Sequence, residues 1–193
     1  MTFHDLNLQL PAAAGRVEAA GYGAVGLASE CTPATLAPAP APPSALPRGK
    51  GQQPVAGLAR HHRLTVTLKG KGAGDRLDQR KAALLTYGLV AAAPVDQPAF
   101  EAVCDGTITA DLIALDLGEK LHFHLREAAV AAALANGIFF EVSYAVALRD
   151  QPARRQLIGN VQQLLRATRG RGLVLSSGAA RAAEIRSPVT PST

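Results

Sequence analysis

Polar and apolar residues alternate along FHDLNLQL, residues 3–10. Leu6, Leu8 and Leu10 fall on one side and Asp5, Asn7 and Gln9 on the other, the pattern of a half-buried strand. AAAGRVEAAGYG (12–23) predicts a short helix that stops at Gly21, and AVGLASE (24–30) a second strand. The alternation returns in LARHHRLTVTL (58–68), followed by a helical pattern over 75–88 and an apolar strand over 88–95. A helix over 96–106, a strand over 110–118, a helix over 126–137 and a strand over 138–146 come next. The strongest helical pattern spans 150–170, and GLVLSSG (172–178) reads as the last strand. Strands separated by helix-length segments pair in parallel through right-handed crossovers, so the chain is α/β, either doubly wound or curled into a β/α barrel.

Neither a GxGxxG nor a P-loop motif is present, which counts against a nucleotide-binding doubly wound sheet. A full β/α barrel takes about 250 residues. At 193 residues, part of them a proline-dense stretch over 32–57, this chain is short of that by at least one βα unit. The stretch 32–57 has the composition of a disordered insertion. The organisation expected is therefore a first βα unit and second strand over 1–31, the insertion, the rest of the barrel over 58–188 and a tail over 189–193.

At 48% apolar and 18% charged the chain should fold, although with only 4% aromatics and much alanine each core residue buries little area. No apolar run approaches the length of a membrane span, and MTFHDLNLQL lacks the basic and apolar regions of a secretory signal. Cys31 and Cys104 fit no zinc or redox spacing, as expected for a reducing compartment.

Charge is distributed unevenly. Residues 1–57 hold three basic and three acidic groups, 58–123 eight of each, and 124–193 nine basic and four acidic. All nine cations of the last third are arginine, whose planar fork suits phosphate. On a helix over 150–170, with Asp150 as N-cap and Pro152 in its first turn, Leu157, Ile158, Val161, Leu164 and Leu165 form an apolar stripe. Arg155, Gln162, Arg166 and Arg169 share the opposite face, and Arg154 lies nearer the apolar side. Two readings stay open for that face: an ordinary wet surface, or a row of phosphate contacts.

Ser176-Ser177-Gly178 does not have the frame of a nucleophile elbow; it is either a tight turn or a backbone anion contact. His122 and His124 have H-x-H spacing, but no matching ligands stand nearby in sequence. His61 and His62 are adjacent and would point to opposite faces of a strand. Only Asp5, Asp116, His122 and His124 could begin a metal site.

Two stretches, GIFFEVSYAVALRDQPARRQLIGNVQQLL (137–165) and GLVLSSGAARAAEIRSP (172–188), resemble the barrel-type protein subunit of nuclear and archaeal ribonuclease P, shared in eukaryotes with RNase MRP. The matching positions are Phe140-Glu141, Tyr144, Asp150, Arg154-Arg155, Ser176-Ser177 and Ile185-Arg186-Ser187-Pro188. Phe3, Asp5, Leu6, Asn7, Gly21-Tyr22, HHRLTVTL (61–68) and ADLIALD (110–116) fit as well. The resemblance implies a TIM-like barrel related to the PHP phosphoesterases but without their metals, since Asp5-Leu6-Asn7-Leu8 lacks the histidines of their D-x-H-x-H ligands. It also implies a further helix and strand beyond SPVTPST, so that this barrel would stay unclosed.

The function so implied is that of a non-catalytic RNA-binding subunit in a ribonucleoprotein that removes the 5′ leader of precursor tRNA and, as RNase MRP, serves rRNA processing. Its partners would be the RNase P/MRP RNA, precursor tRNA within the complex and another small protein subunit, in the nucleus and nucleolus. No cofactor, metal or catalytic residue is expected. The RNA contacts are expected at Arg154, Arg155, Arg166, Arg169, Arg171, Arg181, Arg186, Ser176 and Ser177, with Glu141 and Tyr144 structural at the barrel's interior or mouth. The alternatives are a metal-dependent PHP-type phosphoesterase and a truncated barrel fragment without function.

Overall fold

The computed structural model describes residues 3–9, 14–37, 59–70 and 72–188. Its strands are β1 (Phe3–Leu8), β2 (Tyr22–Cys31), β3 (Ala59–Leu68), β4 (Leu89–Pro94), β5 (Leu112–Ala114), β6 (Phe139–Ser143) and β7 (Leu173–Ser176). The helices are α1 (Ala14–Ala19), α2 (Ala73–Asp78), α3 (Lys81–Leu84), α4 (Gln97–Cys104), α5 (Glu127–Ala135), α6 (Val146–Arg149) and α7 (Gln151–Thr168). Each strand pairs in parallel with the next in sequence, giving one seven-stranded sheet in chain order. Repetition of one crossover hand curls such a sheet into a barrel.

The curl brings the last strand back to the first. Leu8 and Ala179 form an isolated parallel bridge, Gly178 N–H donates to the Asn7 carbonyl at 3.0 Å, and Gln9 N–H donates to the Ala179 carbonyl at 3.1 Å. The barrel is thus nearly closed with seven strands, and its two edges are not left bare.

The predicted strands are all present, with three local differences in the segments between and around them. The helical run 75–88 is broken at Gln79–Arg80 into α2 and α3, which turns Leu85 out to solvent. The apolar run 110–118 pairs only over Leu112–Ala114, because Asp116 Oδ1 then accepts from Gly118 N–H and turns the chain. The proline-rich insertion begins in order: Thr32–Thr35 form a turn, Leu36 is buried in the main core, and the Tyr87 hydroxyl donates to the Ala37 carbonyl. Residues 38–57 of the insertion and the tail 189–193 lie outside the described residues.

The outer face of the barrel carries the apolar core. Leu64, Val66, Leu68, Ile113, Phe140 and Val142 pack beneath Phe100 and Val103 of α4, Val130 of α5, and Leu157 and Leu164 of α7. The inner face is polar and small. Arg63 on β3 reaches across the lumen to Glu141 on β6, and both are almost wholly buried, at 0% and 1% exposed. The pair is bidentate, with Arg63 Nη1 on Glu141 Oε1 and Nη2 on Oε2. Arg63 Nη1 also donates to the Leu6 carbonyl at 3.0 Å and Nε to Thr65 Oγ1 at 3.2 Å, while Ser176 Oγ donates to Glu141 Oε1 at 2.6 Å.

Gly26 lies tight against β1 beside this network. A Cβ on Gly26 would stand 2.4 Å from the same Leu6 carbonyl oxygen that receives Arg63.

A second, smaller cluster is built by the C-terminal segment. Ala179 and Ile185 cover Leu8, Val17, Val25 and Leu27, where β1, β2 and α1 meet. The segment is latched by Glu184, at the end of a single 3₁₀ turn, Ala182–Glu184. Its carboxylate accepts from Arg149 Nε and Nη2, both at 2.8 Å, from Arg181 Nε at 3.1 Å, and from the N–H groups of Ala180 and Arg181. Further along, Tyr22 donates to the Arg186 carbonyl at 3.1 Å, Arg186 N–H donates to the Tyr144 hydroxyl at 2.9 Å, and Ser187 Oγ donates to the Ala20 carbonyl at 3.1 Å.

Breaking one side of a buried ion pair strands the other charge, which typically costs about 3–5 kcal/mol, whereas apolar replacement of both partners costs far less. Glu141→Leu and Arg63→Met are each expected to destabilise the fold by about that amount in denaturant titrations. The Arg63→Met/Glu141→Leu double variant is expected to lose clearly less than the sum. A strictly additive double variant contradicts the coupling.

The Arg149 guanidinium, with help from the two backbone N–H groups, lowers the Glu184 carboxyl from 4.5 to about 2. A depressed folded-state pKa contributes stability that is whole above about 4.5 and is lost as pH falls toward 2. Glu184→Gln should therefore lower stability at neutral pH by roughly 2–3 kcal/mol, with the exposed flank of Arg149 screened by water. Its difference from the parent chain should vanish on acidification; a constant difference across that range removes the latch.

Candidate nucleic-acid interface

The long helix α7 bears arginines without carboxylates. Asp150 caps it, accepting from Ala153 N–H at 3.0 Å, and Pro152 sits in its first turn, where a missing N–H costs nothing. Its 18 residues include Arg154, Arg155 and Arg166 and no carboxylate. Leu157, Asn160, Leu164 and Thr168 are buried. Asn160 is a polar anchor rather than a core residue: its Nδ2 donates to the carbonyls of Leu117 at 2.9 Å and Glu119 at 2.7 Å, fixing the loop after β5. Ile158 and Leu165, expected in the buried stripe, are instead exposed at 51% and 43%, because Asn160 and Thr168 turn the helix toward their own side.

Arg155, Gln162, Arg166 and Arg169 all lie exposed. Arg155 and Arg169 stand about 21 Å apart along the axis at 1.5 Å per residue. Arg154 is also exposed, and its Nε donates to the Ala147 carbonyl at 2.7 Å, so it binds α6 rather than a carboxylate. Arg169 ends the helix in a left-handed conformation, φ 53°, and its Nη2 lies 3.8 Å from Glu127 Oε2. Both of those side chains are about three-quarters exposed, so that contact is weak and screened. Arg171 follows, also exposed. Among the described residues, Arg155, Arg166 and Arg171 have no carboxylate partner.

Arg181 and Arg186 lie on the C-terminal latch. Arg181 pairs with Glu184 through one nitrogen and keeps 71% of its side chain exposed. Arg186 is exposed and folds back to the Ala183 carbonyl at 2.7 Å.

The two serines are elsewhere. Ser176 and Ser177 are 2% and 0% exposed. Ser176 Oγ serves Glu141, and Ser177 Oγ donates to the Asn7 carbonyl at 3.2 Å while its N–H donates to Asp5 Oδ1 at 3.0 Å. Their donors are turned to the barrel's own closure, so neither presents a face to a phosphate. The expected anion contact there is corrected to a structural one.

The barrel mouth holds Asp5, 0% exposed, with Oδ1 accepting from Asn7 and Ser177 N–H and Oδ2 buried without a hydrogen-bond partner among the described residues. Burial pushes its carboxyl up, the Glu141 charge adds to this, and the Ser177 hydrogen bonds oppose it. Burial likewise raises the Tyr22 and Tyr144 hydroxyls beside it and lifts the Cys104 thiol to about 12. Cys31 and Cys104 are both free.

His122 and His124 are exposed in a loop on either side of Phe123, which stacks on Phe100 at 5.0 Å. Among the described residues no three His, Cys, Asp or Glu side chains gather to hold a metal ion, so Asp5, Asp116, His122 and His124 do not converge. No helix among the described residues is long and apolar enough to cross a membrane.

Three participants escape a reading of the sequence. Arg63 and Arg149 carry the hub and the latch, and Phe139 is an exposed aromatic at the start of β6, 47% accessible. Arg63 did leave a signal, being a cation on the face of β3 opposite Leu64, Val66 and Leu68, with Glu141 its inward counterpart on β6. Nothing in the spacing of Arg149 distinguishes it from its neighbours.

Comparison with known proteins follows the same lines. The chain is 37% identical over 126 residues to "Protein GAMETOPHYTE DEFECTIVE 1" of Arabidopsis thaliana, covering 65% of this chain and 22% of that protein. It is 32% identical over 126 residues to the ribonuclease P protein subunit p30 of Mus musculus, covering 65% and 47%. It is 30% identical over 130 residues to the ribonuclease P/MRP protein subunit RPP1 of Saccharomyces cerevisiae, covering 67% and 43%. The matched part thus spans less than half the length of these relatives.

In fold the chain is similar to one in a cryo-EM structure of archaeal ribonuclease P with mature tRNA, with a TM-score of 0.68 at 7% identity over 97% of this chain and 77% of that one. It is also similar, with a TM-score of 0.50 at 10% identity over 88% and 56%, to Aspergillus niger ochratoxinase. The family model described as RNase P subunit p30 matches residues 4–190, nearly the whole sequence, and the chain belongs to that family.

Proposed function

We propose that this chain is a non-catalytic protein subunit of a ribonuclease P or RNase MRP ribonucleoprotein, which binds RNA through its arginine-bearing outer surface. The observation that carries the reading is α7, a helix with three arginines and no carboxylate, two of them on one wet face, on a barrel whose lumen is filled by its own ion pair. In many β/α barrels the lumen-side rim holds the chemistry. Here that space is taken by Arg63, Glu141, Ser143 and Ser176, which are hydrogen-bonded to one another or to the strand walls. Binding then falls to the outside, where guanidinium groups recognise phosphate oxygens through charge and shape rather than base edges.

The role carried over from the relatives is support of 5′-leader removal from precursor tRNA, with the RNA of the complex performing the hydrolysis. A second small protein subunit would dock beside it, and eukaryotic relatives point to the nucleus. The metal-dependent phosphoesterase alternative is disfavoured by the dispersal of Asp5, Asp116, His122 and His124.

Each phosphate contact released contributes about 0.7–0.9 to the slope of log K against log salt. Replacing Arg155, Arg166 and Arg171 together by Ala is expected to weaken binding of structured RNA and to flatten that slope by roughly 2. A slope identical to that of the parent chain removes this surface from RNA binding. Elemental analysis of the purified protein is expected to return no stoichiometric zinc or manganese; a one-to-one metal would favour the phosphoesterase.

A further inference from the structure

We propose that the groove between α5, the end of α7 and the start of β6 is a nucleotide pocket. In it one unpaired RNA base stacks on Phe139 while Arg169 and Arg171 hold the adjoining phosphates. The inference rests on the RNA-binding reading above and goes further by naming a single-stranded ligand and the place that holds it.

The groove measures about 610 Å³ and is walled by Leu134, Ile138 and Phe139 on its apolar side. Phe139 is open, 47% exposed, against 0% for Phe100 and Phe140 and 9% for Phe123. Gly172, at φ 62°, forms part of the floor, and a Cβ there would stand 2.2 Å from Leu134 Cδ2 and 4.0 Å from Phe139 Cδ1. The glycine thus lets the leucine and the phenyl ring lie against bare backbone.

Arg169 and Arg171 line the same groove, and only Glu127 opposes them, through its loose 3.8 Å contact with Arg169. The C-terminal end of a helix dipole repels anions, so nothing but these guanidinium groups would draw a phosphate to this end of α7. An aromatic face beside two cations matches a nucleotide's base and phosphates. A purely apolar protein segment would leave both arginines without a partner. The faces of bases are free only in unpaired RNA, which makes the ligand a single strand. The groove lies at the N-terminal ends of the strands, away from the rim where barrel enzymes place their chemistry, as suits binding rather than catalysis.

The test uses the whole chain with an oligouridine strand carrying 5-iodouridine, and a duplex RNA of equal length as control. Photocrosslinking is expected to give an adduct at Phe139. Phe139→Ala should weaken single-strand binding by about tenfold and leave duplex binding unchanged, while Phe139→Tyr keeps both the affinity and the adduct. Normal single-strand binding by Phe139→Ala, loss in Phe139→Tyr equal to that in Phe139→Ala, or adducts confined to other peptides would each overturn the pocket. The broader reading is judged separately: if the Arg155, Arg166 and Arg171 substitutions flatten the salt slope while Phe139 stays silent, only the pocket is lost. An unchanged slope sinks the RNA surface itself.

Discussion

One arginine and one glutamate, both shut off from water, set the terms for this barrel. Transferring two such charges out of solvent costs several kcal/mol each, and the pair is tolerable only when its geometry is good and its remaining donors and acceptors are met. Arg63 and Glu141 satisfy that condition with a two-pronged contact, the Leu6 carbonyl, Thr65 and Ser176. The condition spreads outward. Gly26 has no room for any side chain, because a Cβ there would meet the backbone of Leu6, whose carbonyl Arg63 holds. Ser176 must be a hydroxyl, and its contact with Ser143 passes the network on to Asn7. Four strands, β1, β3, β6 and β7, are tied together through one buried pair.

Closure of the barrel follows from the same economy of polar groups. Parallel sheets with bare edges invite pairing with other chains. Here the edges of β1 and β7 meet through two backbone hydrogen bonds beyond the last strand, and the chain then turns across β1, β2 and α1. Glu184 is what holds that turn, since two arginines and two backbone N–H groups converge on one nearly buried carboxylate. The segment Ile185-Arg186-Ser187-Pro188, which carries part of the family resemblance, lies in this latch. Its resemblance is therefore explained by packing and hydrogen bonding as much as by any contact with RNA.

Alternation and helix punctuation made most of this architecture legible. Leu64, Val66 and Leu68 mark the outer face of β3, and Asp150 with Pro152 marks the start of α7, as their chemistry requires. What stayed hidden depends on contacts between residues far apart in sequence. Arg63 and Glu141 are 78 positions apart, and Arg149 and Glu184 are 35 apart. Ser176 and Ser177 look like a loop terminus in sequence because the strand ends there; only the return of β7 to β1 buries them. Ile158 and Leu165 fit an apolar stripe by spacing, but the helix is rotated by Asn160 reaching into the loop at Leu117 and Glu119. Local pattern fixes which residues can be buried; the partners decide which are.

The distribution of charge then has a physical logic. The lumen pair is neutral as a unit, so it adds nothing to the field outside. The latch neutralises Arg149 and holds only one corner of Arg181, which stays 71% exposed. Among the described residues Arg155, Arg166 and Arg171, on α7 and just after it, are left without a carboxylate, and there the surface has arginine where lysine would serve solubility equally well. Arginine is the more weakly hydrated cation and offers a planar fork, so it gives up less on leaving water for a phosphate and holds the anion in a fixed orientation. A surface meant only to stay wet has no use for that difference. A surface that must release water and counterions on contact does, which supports the phosphate contact proposed above for a barrel whose lumen charges are paired with each other.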